Sequence, residues 1–146
     1  MVSPNPPLRI VTATTSTFRA EDDSDPRFYL FATFVSGVLR FEVVAKRSTG
    51  ERGAVSGKQF FSAMMAHFGA KVTVIESDWS LASGLTTNID SLNRATAAGL
   101  SVEDAAVLTW TGLRASEHGF ENVTILQALP PGAQGVYDSV RVLFHR

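Results

Sequence analysis

Residues Arg52 to Lys58, RGAVSGK, combine two glycines, two cations and no acid in seven positions. A helix start follows at Ser56, and that placement raises the possibility of anion binding. The first turn of a helix presents unpaired N–H groups and a partial positive charge, which suit an anion. Glycine lets a phosphate come close to the backbone. Arg52, Gly53, Ser56, Gly57 and Lys58 are therefore candidates to hold a phosphate, with Lys46 and Arg47 just upstream. The same pattern also has a purely structural explanation. Ser56 followed by Gln59 has the spacing of a capping box, with Val55 and Phe60 placed as a hydrophobic staple. On that account the cations form a solvated rim.

Acidic residues supply a second candidate chemistry. Glu76 and Asp78 stand two apart near the end of an apolar run, so in a strand they share a face. Paired carboxylates serve as general acid and base or hold a metal, unless they simply meet solvent beyond the buried part of the strand. Of the histidines, His67 and His118 each fall in the last turn of a helix, where an imidazolium is favourable. Structural capping is the simpler role for both. A histidine pair acting as acid and base on RNA, or a metal site including His145, requires a convergence that spacing alone does not supply. Thr109-Trp110-Thr111-Gly112 is rich in poor helix formers inside a helical pattern. A helix that carries it must gain something elsewhere, such as a close neighbour at Gly112.

Composition removes several classes. The 146 residues contain no cysteine, which rules out disulfides, thiolate zinc sites and a cysteine nucleophile. The formal net charge of −1 gives no overall pull towards nucleic acid. No apolar run approaches the roughly 18 residues of a membrane span. The start, MVSPNPPLRI, lacks the pattern of a signal peptide. Residues 1–7 are expected to be a tail, and residues 8–146 one domain.

The elements that position these groups follow from periodicity. Leu8–Phe18 is rich in β-branched residues and reads as a strand, and the polar Arg19–Pro26 as a loop. Phe28–Val35 and Val38–Lys46 flank Ser36-Gly37 and predict a hairpin. Phe60, Phe61, Met64, Met65 and Phe68 lie at helical spacing and should pack on a sheet, with Gly69 ending the helix. Lys71–Trp79 reads as a buried strand. Asn88 caps a predicted helix over Ile89–Ala98, and Ser101 caps one over Val102–His118. Two final strands flank the turn PPGAQG. The expected fold is α+β: a mixed sheet of about six strands with a strand–helix–strand crossover and helices packed on the sheet.

The centre of this order resembles the GNAT family of N-acetyltransferases. The resemblance rests on the strand VLRFEVVAK, the loop and helix RGAVSGKQFFSAMMAHFG, the strand KVTVIESDW and the later helix end SEHGF. It covers roughly Val38 to Arg146, with an insertion around Leu81–Leu100. It implies that Arg52 to Gly57 cradle the pyrophosphate of an acyl-CoA such as acetyl-CoA. It also implies an amine as acceptor, on a small molecule or a protein, with Glu42 or Glu76 as base; Asp78 is a catalytic candidate through its spacing to Glu76. Val55 replaces the middle glycine of the family's loop. Ala115 stands where many members carry a tyrosine that protonates the leaving thiolate. Such a domain would be either active or degenerate.

A second set of segments, MMAHFG, Trp79 and AAVLTWTGLRASEHGF, resembles a domain type found at the C-terminal ends of Rhs-like and other polymorphic bacterial toxins. That resemblance implies an effector module, with nuclease or other activity and an immunity protein as partner. A cytoplasmic location follows from the first resemblance, and secretion within a larger effector from the second. A third alternative keeps the fold as a non-catalytic binding module.

Overall fold

Apolar side chains at alternate positions, Phe18 and Ala20 and then Phe28, Leu30 and Ala32, build the frame of the first half. The computed structural model describes residues 7–47, 49–130 and 136–146. They divide into two compact units, one ending at Val72 and one beginning at Thr73. The architecture is α+β in both.

In the first unit, β1 (Leu8–Ala13), β2 (Thr17–Asp22), β3 (Asp25–Val35) and β4 (Val38–Val44) pair antiparallel in that order. Phe18, Ala20, Phe28, Leu30, Ala32 and Leu39 are buried on one face. Helix α1 (Gly57–Phe68) covers that face with Phe60, Phe61, Met64, Met65 and Phe68. Phe61 meets Phe41 edge-on at 5.3 Å between ring centres, and Phe68 meets Phe34 at 5.0 Å. Each such buried side chain is worth about 1.5–3 kcal/mol, so this aromatic layer holds the helix down. The hairpin falls where expected. Val35 pairs with Val38, and Ser36 and Gly37 both take positive φ, at 51° and 81°, as a two-residue strand reversal requires.

The segment expected to be a loop, Arg19–Pro26, instead contributes the end of β2. Arg19 and Glu21 turn to the outer face while Ala20 and Asp22 turn inward. Asp25 and Pro26 begin β3, and the single strand expected over Leu8–Phe18 is two, β1 and the start of β2, which raises the strand count among the described residues to seven. Residues 1–6 of the expected tail and all of the PPGAQG turn except Pro130 lie outside the described residues.

The second unit holds β5 (Val74–Ser80), β6 (Asn122–Leu129) and β7 (Ser139–His145), with β7 paired antiparallel to both others. Ile75, Trp79, Val140, Val142 and Phe144 are buried, and so are Ile89 and Leu92 of α2 (Thr87–Ala97). Asn93 of α2 donates to the Tyr137 carbonyl at 3.1 Å and accepts from its amide at 2.7 Å. Helix α2 begins two residues earlier than expected, with Thr86 as its N-cap residue, so Asn88 lies inside the helix.

The single helix expected over Val102–His118 is two helices, α3 (Val102–Val107) and α4 (Trp110–Glu117). The break resolves the odd Thr-Trp-Thr-Gly stretch. Thr109 caps α4 by accepting from the Gly112 amide at 3.0 Å, and its hydroxyl donates to the Ala106 carbonyl at 2.7 Å. The Thr111 amide donates to Asn88 at 3.1 Å, and the Asn88 amide donates to the Thr111 hydroxyl at 2.9 Å. A Cβ on Gly112 would overlap the Ala106 carbonyl oxygen and reach 2.5 Å from that of Val107. No described helix is long and apolar enough to cross a membrane.

This close approach reverses an ordinary expectation. Helix propensity favours alanine over glycine by about 1 kcal/mol. Gly112→Ala should instead destabilise by about 1–3 kcal/mol, because the overlap is with backbone and not with a flexible side chain. Urea unfolding of the variant measures this, and a variant more stable than the parent would contradict the packing described.

Candidate functional site

The capping box at the head of α1 forms as its spacing predicts. The Ser56 hydroxyl accepts from the Gln59 amide at 3.1 Å, and the Gln59 side chain accepts from the Ser56 amide at 2.7 Å. Val55 and Phe60, the two staple positions, are both buried. No acid stands in the first turn.

The loop leading into this cap already holds an anion, and it belongs to the chain itself. Asp22, fully buried at the end of β2, places Oδ2 2.6 Å from the Ala54 amide and 3.0 Å from the Val55 amide. Its Oδ1 accepts from the Ser24 amide at 2.9 Å and from the Ser24 hydroxyl. Burial by itself would push the Asp22 carboxyl up. The Ser24 hydroxyl and the amides of Val55, Ser24 and Ala54 outweigh that and hold it below its ordinary value. The group is therefore a carboxylate at neutral pH.

Gly53 fits the same arrangement. A Cβ there would overlap Asp22 Oδ2 and stand 2.8 Å from the Phe28 ring. The glycine leaves room for this internal carboxylate and the neighbouring aromatic ring. Arg52, Ser56 and Lys58 are exposed, and Gly57 is half-buried at the helix start. Arg52 lies opposite Lys46 in an isolated antiparallel bridge. Arg47 instead faces Glu51 at 3.5 Å, and Glu51 also receives Arg27 at 3.3 Å.

The proposed acids lie in different units. Glu42, on the outer face of β4, accepts from the Tyr29 hydroxyl at 2.6 Å, and this bond holds the Tyr29 phenol above its ordinary value. The Arg19 guanidinium lies over the Tyr29 ring at 4.4 Å and bonds Glu21 at 2.9 Å. Glu42, itself exposed, thus ends a half-buried polar chain running across the strands. Glu76 and Asp78 share a face of β5, as their spacing requires. Arg141 pairs across the strands with Asp78 and reaches Glu76 at 3.8 Å.

The histidines are dispersed. His67 Nε2 bonds the Thr14 carbonyl at 2.6 Å, which makes that nitrogen the proton donor, and its ring stacks on Phe18 at 5.2 Å. His145 contacts the Thr124 hydroxyl at 3.0 Å. Burial holds the His118 imidazole below its ordinary value. Among the described residues no cluster of histidine and acidic side chains could hold a metal ion.

No protein-family model, curated protein or solved structure matches the chain.

Sequence inspection missed Asp22. The signal was present but distant: an acid at an inward position of an alternating segment, 32 residues before the amide it bonds. Asp22→Asn should destabilise by about 1–3 kcal/mol, since the amide nitrogen presents donors to donors. The lowered carboxyl has a definite sign with pH. Its stabilisation is complete above the unfolded value near 3.8 and is lost as pH falls through the lower folded value. Acid unfolding followed by circular dichroism should therefore show a shallower acid limb in Asp22→Asn than in the parent.

Proposed function

We propose that this chain is a non-catalytic binding module on an α+β scaffold, and that the Gly53–Lys58 segment is a structural joint at the head of α1. One observation carries the proposal: the Asp22 carboxylate on the amides of Ala54 and Val55. An acyl-CoA cradle uses loop amides of this kind for its diphosphate. Here they face a fixed negative charge, and a diphosphate entering beside a buried carboxylate meets repulsion where it needs donors. The GNAT-like account of the fold is compatible with a degenerate member that has lost coenzyme binding. Delivery at the end of a larger bacterial effector is equally compatible and adds no residue to the site.

Acyl transfer is the competing account, and it depends on recognition of the acyl-pantetheine arm. Thermal unfolding in acetyl-CoA and in adenosine 3′,5′-bisphosphate, at equal millimolar concentrations, separates the two. A binding module should respond equally to both ligands or to neither. Acetyl-CoA stabilising by about 1.4 kcal/mol more than the bisphosphate, a tenfold difference in affinity, would overturn the proposal. So would release of free coenzyme A stimulated by an amine acceptor.

A further inference from the structure

We propose that Lys46 and Arg52 form a side-chain site for a dianionic phosphate group. The proposal goes beyond reading the chain as a binding module, because it names a ligand class for one site on that site's own geometry. The two residues lie directly opposite each other in an antiparallel bridge, so their side chains leave the backbone on the same side. Residues so placed have Cβ atoms about 4.5–5.5 Å apart, and like charges in that position repel. Both side chains are exposed. Among the described residues neither takes part in an ion pair, although acids stand close by in sequence.

Those acids are committed elsewhere. Glu51 receives Arg47 and Arg27. Asp25 receives the Arg27 guanidinium, at 2.6 Å from Nη2 and 2.9 Å from Nε. This bond holds Asp25 down at about 2. Asp22 is closed off by the Ser24 and loop amides. Among the described residues, the local charge balance thus leaves Lys46 and Arg52 side by side without an ion pair.

The pair is also held in place. The Arg47 amide donates to the Glu51 carbonyl at 2.8 Å, and the Gly50 amide donates to the Arg47 carbonyl at 2.8 Å. This small ladder fixes the two backbones that carry Lys46 and Arg52. The arginine offers a planar fork and the lysine a compact point charge, a combination that suits phosphate oxygens. Two positive charges match a dianion, whereas a carboxylate would neutralise only one of them. Because Asp22 occupies the nearby loop amides, the ligand is held by side chains.

The probe is inorganic phosphate at pH 8, compared with chloride at matched ionic strength in a low-salt buffer. Phosphate should raise the unfolding temperature of the parent beyond the effect of chloride. Lys46→Gln and Arg52→Gln should each weaken phosphate binding at least tenfold. Lys46→Glu places an acid opposite Arg52. It should abolish the phosphate response while leaving the unliganded protein at least as stable as the parent, which separates loss of binding from loss of folding. The absence of a phosphate-specific shift in the parent, or its persistence in Lys46→Glu, overturns the site. That result would leave the binding-module proposal standing. A preference for acetyl-CoA over the bisphosphate would have the opposite effect, removing the module and leaving the phosphate site.

Discussion

A buried carboxylate has to be surrounded by donors, and the first unit is arranged around that requirement at Asp22. Removing an ion from water costs several kcal/mol unless its oxygens are satisfied. Four donors supplied by Ser24, Ala54 and Val55 meet the need. They come from both sides of a long stretch of chain: the corner between β2 and β3, and the loop before α1. The contact therefore ties the start of the sheet to the helix that covers it. It also explains why the loop carries a glycine beside the carboxylate, because any side chain at position 53 would displace it.

Local signals were legible where one short segment contained the whole device. The Ser56–Gln59 capping box needs only four residues, and the Ser36-Gly37 reversal only two, with flanking strands to orient it. The aromatic face of α1 follows from helical spacing alone. The errors fell where the deciding partner was remote or where polarity hid an alternation. Arg19–Pro26 is acid-rich and proline-ended, so composition favours a loop. Its period of two nevertheless runs through Phe18, Ala20 and Asp22, with the acid at an inward position. The stretch near Thr109 is anomalous on helix propensity alone. Its resolution, a second cap in mid-segment, depends on Asn88 and on the carbonyls ending α3.

The candidate site shows the same division more sharply. Helix caps and phosphate cradles draw on one set of residues, because both satisfy the free amides at a helix start. Arg52–Lys58 is consequently ambiguous in isolation. Neither the glycines nor the cations say whether an anion comes from solvent or from the chain. The deciding residue lies on another strand, in a segment that reads as solvent-exposed. The side chains of Lys46 and Arg52 were visible as neighbours in sequence, but their cross-strand juxtaposition comes from the short ladder between Arg47 and Glu51.

Asn93 has a consequence for how the second unit tolerates change. Its amide group meets the Tyr137 backbone as a neighbouring strand would, giving and taking one bond. The next residue is anchored as well, since the Asp138 amide donates to Leu129 and its carbonyl accepts from Leu81. The approach to β7 is thus clamped by a helix and by two neighbouring stretches of backbone. Strand alignment there does not depend on the hairpin connection, so evolution is free to lengthen, shorten or decorate that connection without sliding the strand it feeds.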